Sequence, residues 1–166
     1  MNSVFHPVNK KIKTRKQLVD IVQKLRKERK KVVTTNGCFD LLHPGLLYHL
    51  LKSKALGDVL IVGINSDSSI KRLKGENRPI LPQNTRAIML SGLECVDYVT
   101  IFDEITPNAL LEALKPEVHT NNIKYGKNCV EAQTVQKCGG RLYLVKNLPN
   151  LSTTNLIQQI LKTHSK

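Results

Sequence analysis

Lys31-Val32-Val33-Thr34-Thr35-Asn36 is a short β-branched run that ends at Gly37. Cys38-Phe39-Asp40-Leu41-Leu42-His43-Pro44-Gly45 separates it from an apolar segment over 46–56. Side chains branched at Cβ are stiff at χ1 and pack well on a pleated surface, so the first run predicts a strand. The apolar segment predicts a helix stopped by Gly57. Asp58 to Asn65 (DVLIVGIN) is then almost unbrokenly apolar, as in a strand buried on both faces. Strand, loop, helix and strand in this order are the repeating unit of a parallel sheet.

The alternation continues on both sides. Upstream, Thr14 and Gln17 form a capping-box pattern, and Leu18, Val19, Ile21, Val22 and Leu25 recur at helical spacing, predicting a helix over 15–29. Downstream, a polar basic loop is expected from Ser66 to Arg78, then a helix over 85–93 and a strand over 98–102. Thr106 should cap a helix that has Pro107 at its first position and runs to Leu114. A short strand around Val118, a helix over 131–138, a strand over 141–145 and a helix over 154–163 capped by Ser152-Thr153 complete the series. The expected fold is a Rossmann-like three-layer α/β/α arrangement around a five-stranded parallel sheet. Residues 14–166 should form one domain behind a tail of residues 1–13.

Composition narrows the function. The 166 residues carry a net charge of +13. Residues 1–31 hold eleven Lys and Arg against only Asp20 and Glu28. A basic front end could bind nucleic acid or an anionic membrane, serve as a transit peptide, or be the solvated face of a helix; the capping box favours the helix. There is no Trp, and aromatics are 4%, which argues against reading single strands by base stacking. Nucleic acid is therefore not the expected partner. No apolar stretch approaches the ~18 residues of a membrane span, and residues 1–30 lack a secretory apolar core, so a cytoplasmic location is the default expectation. Cys38, Cys95, Cys129 and Cys138 form no Cys-x-x-Cys pair, and no metal site is expected.

In open α/β sheets ligands bind beyond the carboxyl ends of the strands. Three segments should converge there: Thr34 to Gly45, Asn65-Ser66-Asp67 with the basic loop after it, and Ser152-Thr153-Thr154. Gly45 and Ser152 stand at helix starts, where free N–H groups attract anions. Lys71, Arg72, Lys74, Arg78 and Arg86 add positive charge. These residues point to a phosphate-rich ligand, a nucleotide in the first instance. Asp40 either faces this site or caps the turn.

TNGCFDLLHPG, LGDVLIVGINSD, KRLKGENRP and STTN together resemble the nucleotidyltransferase superfamily with the HxGH motif. The resemblance runs from about Thr14 to Lys162 and is greatest to its D-glycero-β-D-manno-heptose 1-phosphate adenylyltransferase branch. Glycerol-phosphate cytidylyltransferases are near relatives. The resemblance implies transfer of a nucleotidyl group, adenylyl in that branch, from a nucleoside triphosphate to a sugar phosphate with release of pyrophosphate. ATP or CTP would be the nucleotide, accompanied by Mg²⁺. Dimers are common in the superfamily, so a homodimer is the candidate assembly. By the same resemblance His43 and Arg86 are catalytic, and Thr35, Asn36, Gly37 and Phe39 line the triphosphate site, with Asp40 and Gly45 counted beside them. Asn65 and Asp67 border the acceptor or nucleotide pocket. Arg72 and Lys74 hold substrate phosphates, and Ser152, Thr153 and Thr154 hold the β- and γ-phosphates.

Two departures from the pattern stand out. Leu46 occupies the place of the second histidine of HxGH. His49 lies one turn further on, roughly 4.5 Å along a helix axis, and is not expected to replace it. Asn121-Asn122-Ile123-Lys124-Tyr125 stands where heptose relatives carry a KGGDY-like segment. These changes keep open a relative that binds nucleotide or phosphate without turnover, beside a glycerol-phosphate-type cytidylyltransferase.

Overall fold

In the computed structural model, residues 5–146, 148–149 and 151–164 are described. Five strands, β1 (Val32–Gly37), β2 (Val59–Asn65), β3 (Tyr98–Phe102), β4 (Val118–Asn122) and β5 (Arg141–Val145), form one sheet in the order β3-β2-β1-β4-β5. All four pairings are parallel, with Val33 opposite both Leu60 and Val118. The expected doubly wound α/β sheet is therefore present. Its strand order reverses between β1 and β4.

Helices cover both faces. In chain order they are α1 (His6–Asn9), α2 (Arg15–Lys27), α3 (Pro44–Lys54), α4 (Asp67–Lys74), α5 (Gln83–Ser91), α6 (Asn108–Leu114), α7 (Ala132–Lys137) and α8 (Thr153–His164). The strands' alternation sorts the core into two layers. Val33, Leu60, Val62 and Ile64 pack with Leu50 of α3 and Ala87 and Leu90 of α5. Val32 and Ile61 face the other way, onto Leu18 and Val22 of α2 and Leu110 and Leu114 of α6. Gly63 makes the second layer close: a Cβ there would come within 2.8 Å of Leu110 Cδ2.

The basic front helix is structural, as its capping box predicts. Gln17 N donates to Thr14 Oγ1, and the Gln17 side chain accepts from Thr14 N at 2.9 Å. Its charges do local work: Arg15 lies 2.5 Å from Glu104, and Arg26 donates to Leu114 O at 2.7 Å.

Three expectations need revision. The polar stretch after β2 is not a loop but contains α4, because Ser66 Oγ accepts from Ser69 N at 3.0 Å and supplies an N-cap. Thr106 does not cap α6; Pro107 takes the cap position and the helix begins at Asn108. Residues 11–13 were expected to lie in a tail, yet they dock on the sheet edge. Ile12 bridges Val99, and Lys11 Nζ donates to Leu93 O and Val96 O. The first four residues of the tail lie outside the described residues.

Candidate functional site

A cavity of about 630 Å³ opens at the carboxyl ends of β1 and β4, where the strand order reverses. This is where two loops diverge to opposite faces and leave a crevice. Three of the converging segments do meet here. The β1–α3 turn brings Asn36, Gly37, Phe39, Asp40, His43 and Gly45 to the wall; Asn65 and Lys74 come from β2 and α4; Ser152, Thr153 and Thr154 come from the start of α8.

His43 sits at the N-cap of α3, followed by Pro44, whose missing N–H costs nothing at a first helical position. Burial lowers its pKa, and its Nδ1 is buried with no hydrogen-bond partner among the described residues. The ring lies against Gly45. A Cβ there would stand 3.1 Å from both the imidazole and Leu151 Cβ, so any larger residue would need His43 or Leu151 to give by a few tenths of an ångström. Ser152 Oγ accepts from Asn155 N at 3.1 Å and holds the first turn of α8.

Four of the anticipated ligand residues are turned to other tasks. Arg86 is 1% exposed and does not line the cavity. Four of the roughly five N–H groups of a guanidinium are taken: Nε by Leu81 O at 3.0 Å, Nη1 by Cys38 O at 2.6 Å, and Nη2 by Asn65 O at 2.9 Å and Asp67 Oδ1 at 2.7 Å. It ties the loops after β1 and β2 to the entry of α5, and it occupies Asp67. Arg72 is exposed and bonds the Asp103 carbonyl and carboxylate instead. Thr35 lies in the interior, its Oγ1 2.8 Å from His49 Nε2 and 3.0 Å from Thr120 O.

Asp40 resolves the two alternatives left by the sequence mainly toward structure. It borders the cavity, but its oxygens are held by Ile80 N, by Leu81 N at 2.9 Å and by Arg78 Nε at 2.7 Å. Burial alone would raise its pKa; the Leu81 and Ile80 N–H groups and Arg78 overcome that and hold the carboxyl below its ordinary range.

The cavity also takes residues that the sequence reading did not place there. His49 lines it beside Leu46. The signal was available: Leu46, His49, Leu50 and Ser53 form one i, i+3, i+4, i+7 stripe, and the last three are buried. Burial lowers the His49 pKa to about 4, so the ring is neutral. Thr35 has one hydroxyl proton, which the carbonyl of Thr120 takes. The network thus assigns the His49 proton to Nε2 and leaves Nδ1 an acceptor. Asn121, Lys124, Tyr125, Cys129 and Glu131 complete the wall. Among the described residues no cluster of three or more His, Cys, Asp or Glu could hold a metal ion. No helix of the described residues is long and apolar enough to cross a membrane.

A crevice at the reversal of an all-parallel sheet, walled by a histidine, close-packed glycines and a Ser/Thr-rich helix start, defines a doubly wound α/β domain with an anion-suited crevice at its switch point. The chain belongs to the cytidylyltransferase-like family, whose family model matches residues 34–162. It is 46% identical over 157 residues to the bifunctional protein HldE of Geobacter metallireducens, an alignment that takes in 94% of this chain and 32% of that protein. The chain thus spans about a third of the length of the curated relatives it matches. Among solved structures, the lipopolysaccharide core biosynthesis protein of Thermoplasma volcanium is 30% identical with a TM-score of 0.58, over 72% of this chain and 97% of that one. The pantoate-β-alanine ligase of Francisella tularensis shares the fold at a TM-score of 0.61 and 17% identity, over 91% of this chain and 78% of the other.

Proposed function

We propose that the chain transfers a nucleotidyl group, adenylyl in the first instance, from a nucleoside triphosphate to a sugar phosphate, as in ADP-heptose synthesis. The observation that supports this most is the meeting of the β1–α3 turn, with Gly37, His43 and Gly45, and the start of α8, with Ser152 to Thr154, in one cavity. An acceptor phosphate oxygen attacks the α-phosphorus, the bond from that phosphorus to the bridging oxygen breaks, and pyrophosphate leaves with the electron pair. No covalent enzyme intermediate is required, so positioning and charge stabilisation carry the rate. In this reading His43, which lines the cavity, donates to a phosphate oxygen, and Lys74, lining it from α4, supplies positive charge. The described residues form no acidic cage, which suits Mg²⁺ arriving with the triphosphate and held by phosphate oxygens and water. A cytoplasmic homodimer goes with this reading.

Pyrophosphate release should appear with ATP, Mg²⁺ and a heptose 1-phosphate. CTP with glycerol phosphate is the arm that would support the cytidylyltransferase alternative, and silence across the whole panel would sink the enzyme reading. His43→Ala should lower kcat/KM by about 10²–10³ with little change in Tm, because its Nδ1 holds nothing in the fold.

Leu46 favours a second reading. It lines the cavity with a side chain that can neither donate a hydrogen bond nor carry charge, as in a relative that binds nucleotide without turnover. Thermal shift with ATP or CTP and no pyrophosphate would support it, whereas an ordinary turnover of about 1–10³ s⁻¹ would exclude it.

A further inference from the structure

Glu131 is a carboxylate that is 5% exposed, lines the cavity, and has no Lys, Arg or His within ion-pair distance among the described residues. Buried charges are normally paired, because leaving water without a partner is costly. A bare carboxylate is also a poor neighbour for phosphates. Glu131 stands at the N-cap of α7, in the connection between β4 and β5, on different elements from the β1–α3 turn and the α8 start that suit a polyphosphate.

One side-chain hydrogen-bond partner is Asn121, at the carboxyl end of β4 and 7% exposed. Asn121 Nδ2 donates to Glu131 Oε2 at 3.1 Å, and Asn121 Oδ1 accepts from Asn122 N at 2.8 Å. These two bonds fix the amide's orientation. They use the amide oxygen and one of its two N–H groups, leaving the second N–H beside an acceptor-only carboxylate. The Cys129 thiol also touches both side chains: burial and the adjacent Glu131 push its pKa up, while Asn121 pulls it the other way, and a thiol is too weak a donor and acceptor to hold either group against a ligand.

We infer that Asn121 and Glu131 form the base-reading end of the cavity, an N–H donor next to an acceptor that matches a ring nitrogen beside an exocyclic amino group. Adenine and cytosine present that edge. Hypoxanthine and uracil present a carbonyl beside a ring N–H, which reverses the order and sets the carboxylate against a carbonyl oxygen. The pair thus orients the nucleotide, base toward β4 and α7 and phosphates toward α3 and α8. It also accounts for an edge common to ATP and CTP. This rests on the nucleotide reading of the cavity.

Calorimetric binding of ATP, CTP, GTP, ITP, UTP and inorganic tripolyphosphate, each with Mg²⁺, to the wild-type chain and to Glu131→Gln tests it. Wild type should bind ATP over ITP, and CTP over UTP, by about ten-fold or more, as a good bidentate contact discriminates. Glu131→Gln should shrink those ratios toward one, because an amide can present either polarity, while tripolyphosphate binds both proteins equally. Equal wild-type affinity for ATP and ITP, a preference for GTP, or a parallel loss of tripolyphosphate affinity in the variant would overturn the inference and leave phosphate binding intact. Failure of wild type to bind any nucleotide or tripolyphosphate would instead overturn the nucleotide reading beneath it. The wild-type series decides the matter by itself if the variant does not fold.

Discussion

Arg86→Met is expected to lower the unfolding free energy by about 3–5 kcal/mol and to abolish activity through the fold. The guanidinium is buried and joins Leu81 O, Cys38 O, Asn65 O and Asp67 Oδ1. A methionine fills similar volume but leaves three carbonyls and a partly buried carboxylate without a donor. Arg86→Lys should recover little, since an ammonium cannot reproduce four bonds aimed in a planar fork. Urea denaturation checks the magnitude. The comparison with His43→Ala separates the roles: there the rate should fall while the midpoint stays. A catalytically dead Arg86→Met with wild-type stability would return Arg86 to the chemistry.

Stability should also drop by about 4 kcal/mol between pH 8 and pH 5, from two buried histidines at about 1.4 kcal/mol per pKa unit each. Burial lowers the pKa of His49 to about 4, and burial together with neighbouring His49 lowers that of His119 to about 3, from an ordinary 6.5. His119 Nδ1 is 2.8 Å from Thr34 Oγ1, and its Nε2 has no partner among the described residues. The folded chain therefore keeps both rings neutral while the unfolded chain takes up protons below pH 6.5. Stability is unaffected above that value and falls with pH until the folded rings titrate, near 4 and 3. His43, also lowered by burial, acts in the same sense. Denaturant midpoints at pH 8, 6.5 and 5 measure the slope, and His49→Asn and His119→Asn should each flatten about half of it. A flat profile in wild type would mean that the rings are protonated or paired in the fold.

The strand–turn–helix around Gly37, His43 and Gly45 was legible because every local cue agreed. β-branched residues, a glycine break, a proline at a first helical position and an apolar stripe act over a few residues and need no distant partner. The same holds for the α2 capping box and for the doubly apolar β2. Where local cues were weaker, boundaries moved. The stretch from Ser66 carries the signature of a loop because α4 is short and polar, with mainly Ile70 to bury. The basic residues were legible as a group but not individually. Lys74 reaches the cavity, while Arg72 and Arg86 were claimed by carbonyls and carboxylates that are remote in sequence.

The sequence by itself determined the alternating strands and helices, the parallel sheet and the end of it at which the cavity opens, since hydrophobic period and turn chemistry are local. Only the tertiary structure decided which polar side chains stay free in that cavity. Asp40 meets Arg78 and the 80–81 backbone, Arg86 meets Cys38 and Asn65, and His49 turns into the cavity on Thr35. Asn121 and Glu131 acquire their shared geometry only when β4 and α7 are packed. A donor or acceptor has meaning at a site once its partner is known, and here the partners lie ten to nearly fifty residues away along the chain.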